Sequence, residues 1–486
     1  MASTRIPQLP VLRAGQAYES LDQFEVAGHR DGESLAKVSL ANAGIVRRDL
    51  KKMSERAAVL REIPMARMLD ICKSAGQHFL NSDLPLGPDE NGDVVMQSPS
   101  DYVTTLSKTS GLPHTLCTKN MQKVFTVFDE MPDILRGLTR GMNPEVIDDN
   151  FGEHSGVPVC YLPTTDSLGV VLPSNSPGVN SIWMPAIALK IPVVLKPGRD
   201  EPWTPWRIIQ SFIAAGCPSE AFGFYPSDHE GAAAILQGCG RALLFGDEST
   251  TKIYANNPAI NLHGPGRSKV LLGDDIVDDW QDYLDVLVGS VVDNGGRSCI
   301  NASAIFVSRN GDAIADALAE RLAAIEPSAA DAEDARLSAF ANPKFAEFID
   351  ASIEQGLAEG GAVDVTAQHR EGTRAQVLDG AHFLRPTVVR CEDLSHPLAN
   401  TEYMFPFVSV VEVPQSQMLG EIGPSLVVTG ITKDAGFLDE LVRSRDIDRL
   451  NLGPFPTSHV EWNQPHEGNL FEFLYARRAI QRTDAW

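Results

Sequence analysis

Residues 167–198 read SLGVVLPSNSPGVNSIWMPAIALKIPVVLKPG, and the organisation of the chain turns on them. Ser167 to Leu172 is a short apolar run closed by Pro173, the pattern of a strand covered on both faces. Val179 to Leu189 is apolar over a helical length, and Pro192 to Lys196 is a second apolar run ended by Pro197. The same grammar continues downstream. Thr204 to Ala215 predicts a helix stopped by Gly216 and Pro218. Ala221 to Tyr225, Gly231 to Gln237, Arg241 to Phe245 and Thr250 to Asn256 carry the alternation on. Strands alternating with helices imply right-handed crossovers and a parallel sheet, a dinucleotide-fold pattern reached without any motif.

Outward from this block, a second α/β region runs from about Asp279 to Leu450. It holds a helical stretch at Asp312 to Ile325 and strand-like runs at Ala304 to Val307 and Val408 to Val413. Ala323 to Ala341 reads as a solvated helix or loop. The first 140 or so residues read mainly as helices and loops: helical rhythm at Leu35 to Ile63, Pro64 to Phe79 and Asn120 to Gly141, and a loop at Asn81 to Ser100.

With 486 residues, the chain is expected to form two or three domains, and 43% hydrophobic with 22% charged residues is ordinary globular composition. Lys plus Arg number 41 against 64 Asp plus Glu, a formal net charge of −23. Such a surface repels phosphate backbones and anionic lipids, so neither nucleic acid nor membrane is an expected partner. Seven scattered cysteines without a C-x-x-C pair offer no zinc site and suit a reducing compartment. With no signal-like start and no long apolar span, the cytoplasm is the expected location.

No G-x-G-x-x-G follows a strand, so the usual phosphate loop is absent; Gly264-Pro265-Gly266 and Phe245 to Thr250 are weak substitutes. The sharper feature is Asp293-Asn294-Gly295-Gly296-Arg297-Ser298-Cys299. Two glycines before a thiol permit unusual backbone and close approach of a ligand. Arg297, two residues away, is placed to favour the thiolate. The alternative is an inert buried cysteine.

Taken together, seven cues in order resemble the aldehyde dehydrogenase superfamily. Leu172-Pro173-Ser174-Asn175-Ser176-Pro177 resembles its I-P-W-N-F-P turn, and Val193-Val194-Leu195-Lys196-Pro197 its V-V-x-K-P strand. Ala215-Gly216-Cys217-Pro218 matches A-G-x-P, and Phe245-Gly246 stands where F-T-G-S usually does. Gly295 to Cys299 resembles the G-Q-x-C nucleophile loop, Pro386-Thr387-Val388 resembles P-T-V, and Glu402 to Pro406 resembles E-x-F-G-P. The resemblance implies Cys299 as covalent nucleophile and Asn175, with the Cys299 N–H, as oxyanion donors. It places Pro173, Ser174, Lys196, Gly198, Arg199, Phe245, Gly246, Ser249 and Glu402 on an NAD or NADP cofactor. Lys196 would bind the adenosine ribose and Glu402 the nicotinamide ribose, although Met404 and Phe405 depart from the usual Phe and Gly. The stretch Lys196 to Glu201 offers both signs to a 2′-phosphate, Arg199 to accept it and Glu201 to repel it, with a slight lean to NAD.

The main departure is at the general base. Where hydrolytic members carry L-E-L-G-G, this chain has Asn261-Leu262-His263-Gly264-Pro265, and an amide accepts no proton near neutral pH. His263 to Gly266 with Val270 to Asp275 resembles a segment of CoA-acylating relatives. A thiol acceptor needs less help than water, so CoA is the favoured co-substrate and an acyl-CoA the product or substrate. Two alternatives stay open: a hydrolytic enzyme whose base has moved to His263 or Glu402, and a degenerate member kept for binding. His466-Glu467 is either a catalytic auxiliary or a structural turn. The resemblance further implies a cofactor domain from residues 1–145 and 166–263, and a catalytic domain over 264–453. Residues 146–165 and 454–486 would form an arm that builds a homodimer or homotetramer. The substrate would be a small aldehyde or acyl-CoA.

Overall fold

The apolar runs become strands buried on both faces. Val11–Arg13 (β1), Gln16–Tyr18 (β2), Leu168–Val171 (β3), Val193–Lys196 (β4), Phe222–Phe224 (β5), Arg241–Phe245 (β6) and Ile260–His263 (β7) make one sheet. Its order is β7-β6-β3-β4-β5-β1-β2 in the computed structural model, which describes residues 5–481 and 483. β3 pairs in parallel with β4, Leu168 opposite Val193, and on its other edge with β6, Leu168 opposite Arg241. The chain therefore leaves β3 in one direction and returns on its far side, so strand order reverses there. A crevice opens at such a reversal, outside the carboxyl ends of the strands, and this is where open α/β sheets take their ligands.

Ser268–Leu272 (β8), Ala302–Val307 (β9), Ala362–Asp364 (β10), Thr387–Cys391 (β11), Phe407–Glu412 (β12), Ser425–Ile431 (β13) and Ile447–Leu452 (β14) form the second sheet. Its order is β10-β11-β12-β9-β8-β13-β14, parallel except for β10 against β11. The expected α/β class with parallel sheets is thus what the chain adopts.

Met65–Asn81 (α1), His114–Asp129 (α2), Met131–Leu138 (α3) and Trp203–Ala214 (α4) pack on the first sheet. Phe79, Tyr102, Phe128, Phe212 and Phe222 meet there with ring centroids 5.0 to 6.0 Å apart. All five are fully buried, so truncating one phenylalanine to Ala costs about 3–5 kcal/mol. Arg207 of α4 is buried among them and donates to the carbonyl oxygens of Phe79 (3.0 Å), Gln97 (3.0 Å) and Ser82 (2.8 Å). One guanidinium thereby closes two carbonyls at the end of α1 and a third at the end of the strand Val94–Gln97.

The N-terminal region departs from the helix-and-loop reading. Ser34–Ser39 is a strand, not the start of a helix, and sits between Gln8–Leu9 and Gln23–Ala27 in a three-stranded sheet. Ala36 and Val38 are buried while Lys37 is exposed, a period of two that a six-residue strand barely registers. The helices follow at Ala43–Leu50 and Met53–Arg61. Leu84–Pro88 and Val94–Gln97 pair as a hairpin inside the segment read as loop. Val179 to Leu189 is broken into a 3-10 turn, Pro177–Ile182, and a short helix, Pro185–Ala188, that Pro185 begins.

A last small sheet joins Phe151–His154, Val157–Pro163 and Tyr475–Arg478, all antiparallel. Residues 482 and 484–486 of the expected arm lie outside the described residues. Among the described residues no helix is long and apolar enough to cross a membrane.

Candidate active site

Helix Leu284–Val292 (α5) ends in the turn that carries Cys299. Asn294, Gly295 and Gly296 all take left-handed backbone, with φ of 53, 64 and 70°. A side chain on Gly296 would fall on the backbone of Phe405 and Pro406, so this glycine is required by space as well as by φ. Asn294 locks the turn: it accepts from Asn120 Nδ2 (2.6 Å) and donates to Ser176 Oγ (3.2 Å) and Ser298 Oγ (3.0 Å). Asn301 accepts the Ser298 N–H at 2.9 Å, and Ser268 Oγ donates to the Cys299 carbonyl at 2.9 Å.

Of the seven cysteines, six are buried and Cys299 alone is half-buried, facing a cavity of about 430 Å³. Burial pushes its thiol well above the ordinary range, and the carboxylates of Glu467 and Glu402 add to the effect. Arg297 does nothing to offset this. Its guanidinium is turned into the protein, donating to the carbonyls of Ser110 (2.7 Å) and Ala339 and lying over the Phe340 ring at 5.4 Å. The expected help from Arg297 is therefore corrected: it is a strut, and the thiol needs a proton acceptor from elsewhere.

Asn175 lines the same cavity. Its Nδ2 donates to the Arg297 carbonyl (3.1 Å) and toward Met404 Sδ (3.5 Å). A thioether is a weak acceptor, so that second N–H is only weakly engaged.

The residues expected on the cofactor, Glu402 apart, lie at or just after the carboxyl ends of β3, β4 and β6. Gly198 lies so close to Pro173 O and Ser174 Oγ that a Cβ would come within 2.5 Å of each. Lys196 ends β4; burial and Arg199 lower its pKa, and among the described residues its ammonium has no ion pair. Arg199 lies over the Phe24 ring at 4.9 Å. Ser249 is spent on the cap of the short helix after Gly246, donating to Asp247 Oδ1 at 2.8 Å. Glu201 does not face the crevice: it is buried and accepts from Thr204 N (2.8 Å) and Oγ1 (2.7 Å). The repulsion of a 2′-phosphate expected from it has no basis in this geometry.

Glu402 Oε2 accepts the Arg267 N–H at 2.6 Å, while Oε1 is buried without a partner. That orphan oxygen, the unpaired Lys196 and the close approach at Gly198 are what a ribose-bearing dinucleotide needs, so the residues present fit NAD or NADP. Burial raises the Glu402 carboxyl to about 7.

Asn261, on β7, donates to the Glu467 carbonyl at 2.6 Å. Two residues along, His263 stacks on Phe245 (4.3 Å) and holds Glu467 Oε2 through Nδ1. Glu467 and His466 both line the cavity, whereas Asn261 stands behind them. His466 is held neutral by burial and by Arg449, whose guanidinium donates to its Nδ1 at 2.7 Å. The sequence did not single out Arg449, nor Lys123 on α2. Lys119, Lys123 and Val127 recur at spacing four and line one wall, a signal that was available in the helix period.

The sequence profile of the aldehyde dehydrogenase family matches residues 90–419. The 5-carboxymethyl-2-hydroxymuconate semialdehyde dehydrogenase of Escherichia coli is 24% identical over 65% of this chain and 67% of its own length. A Staphylococcus haemolyticus relative is also 24% identical, over 58% of this chain, which spans 62% of that relative. Among solved structures, an indole-3-acetaldehyde dehydrogenase complexed with NAD+ superposes with a TM-score of 0.76 over 97% of this chain and 96% of its own. At 17% identity that likeness speaks for the fold.

Proposed function

Because the chain belongs to the aldehyde dehydrogenase family, we propose that it oxidises an aldehyde through a thioester on Cys299, with NAD or NADP, when bound, supplying the hydride acceptor. The observation that carries this reading is the half-buried Cys299 in a cavity shared with Asn175, at the mouth of the crevice where strand order reverses. The Cys299 thiol gives its proton to solvent in the cavity and the thiolate adds to the aldehyde carbon, where Asn175 with the Cys299 N–H receives the alkoxide. Loss of hydride from the hemithioacetal leaves an acyl group on the sulfur. Lys196 and Glu402 Oε1 would hold the cofactor's ribose hydroxyls, and the Gly198 turn would lie against it.

Water is the acceptor favoured for that acyl group, because a carboxylate, Glu467, lines the cavity that Cys299 faces. CoA remains a second reading, supported by Asn261 in place of the usual glutamate. Val127, Ile134, Leu138 and Trp462 give the cavity an apolar body. Half-buried Lys123 lines it too and forms no ion pair among the described residues. An aldehyde with an apolar chain and an acidic group suits these walls. The small sheet of Phe151–His154, Val157–Pro163 and Tyr475–Arg478 is assigned to subunit contact in a dimer or tetramer.

The test is an absorbance assay for reduced nicotinamide with a panel of aldehydes, NAD or NADP, each with and without CoA. Turnover without CoA, abolished in Cys299→Ala, is the expected result. Turnover only with CoA would replace water by CoA, and no turnover with any combination would overturn the reading.

A further inference from the structure

A thioester is attacked slowly by neutral water, so hydrolysis at Cys299 requires a group that takes a proton from the attacking molecule. β7 brings no base to the cavity: Asn261 is an amide, and the His263 imidazole is buried and absent from the cavity wall. What β7 does instead is hold a carboxylate brought from the far end of the chain. The Asn261 amide donates to the Glu467 carbonyl oxygen at 2.6 Å, and His263 Nδ1 meets Glu467 Oε2. Glu467 has φ of 51° and Gly468 φ of 97°, two left-handed residues in succession that fold the segment back upon β7. The Glu467 N–H donates to Asp448 Oδ2 at 2.8 Å, which ties the same turn to β14. With His263 2% and Glu467 14% exposed at their side chains, the imidazole lies behind the carboxylate and the carboxylate reaches the cavity.

We propose that Glu467 is the general base that activates water for release of the acyl group from Cys299, with Asn261 and His263 as the residues that position it. The inference rests on the reading that Cys299 passes its acyl group to water. Glu467 takes a proton from water as the water oxygen bonds to the thioester carbon. The carbon–sulfur bond then breaks, the electron pair returns to Cys299 sulfur, and the carboxylic acid leaves. His263 Nε2 is buried without a partner, which leaves Nδ1 as the atom that carries the proton toward Glu467. His466 Nε2 stands 4.0 Å from the same carboxylate oxygen. Its Nδ1 accepts from Arg449, so the neutral ring carries its proton on Nε2, on the Glu467 side.

Rapid mixing of Glu467→Gln with aldehyde and NAD or NADP separates the two halves of the reaction. Glutamine keeps the shape and the His263 contact but takes no proton. The expected result is a burst of about one reduced nicotinamide per site at an unimpaired rate, followed by steady turnover slowed roughly 10²–10⁴-fold. Hydroxylamine, a nucleophile that needs no base, should then restore much of the steady rate. A variant that turns over like the wild type, or that shows no burst, overturns the role of Glu467 while wild-type oxidation stands. A wild-type protein that forms no reduced nicotinamide overturns the parent reading instead.

Discussion

Arg297 stands two positions from the nucleophile, yet its chemistry is structural. Its guanidinium binds the Ser110 and Ala339 carbonyls, and burial lowers it to about 10. Arg297→Met leaves two buried carbonyls without donors, so chemical denaturation should report a loss of roughly 2–5 kcal/mol. Glu201 is the mirror case of a charge withdrawn from the place where it was expected. Burial raises its carboxyl from 4.5 to about 8. A carboxyl whose folded value lies above its unfolded one binds its proton more tightly in the folded state. Its stabilisation is complete below 4.5 and is lost as pH rises through about 8. Melting curves between about pH 5 and 9 should therefore fall more steeply for the wild type than for Glu201→Gln.

At the scale of elements, the turn after α5 is the most exacting piece of the molecule. Gly296→Ala puts a methyl group onto the Phe405–Pro406 backbone at a φ of 70°. Displacing Cys299 by about an ångström is expected to lower kcat/KM roughly 100-fold, with a smaller drop in melting temperature. This turn was legible in the sequence because two adjacent glycines before a thiol are a local signal. β3, β4 and β6 were legible for a similar reason: strands covered on both faces show unbroken apolar runs. Ser34–Ser39 was not, since a half-covered strand of six residues alternates too briefly to outweigh the helices behind it. The seating of Glu467 was hidden for a different reason. Asn261 and Glu467 are 206 positions apart, and their meeting follows from how two sheets and a tail pack, which no window along the chain contains.

For the whole molecule, the small sheet that ends in Tyr475–Arg478 is the surface proposed above for contact between copies of the chain. Val157 is 49% exposed at the start of its strand. Light scattering after size exclusion should find two or four chains, and Val157→Lys should shift the population towards fewer. Val157 is not among the residues that line the cavity, so the Michaelis constant for the cofactor should change little in the same variant.

The turn that seats Glu467 also has a temporal side. During synthesis, Cys299 emerges from the ribosome well before residue 467, and Tyr475–Arg478 must follow before the tail can dock beside Val157–Pro163. A chain that has made Cys299 but not residue 467 thus holds the nucleophile without the carboxylate proposed to activate water for its release. Chains that stop before residue 467 are expected to show no net turnover, because the carboxylate and the Leu470 wall of the cavity are missing together.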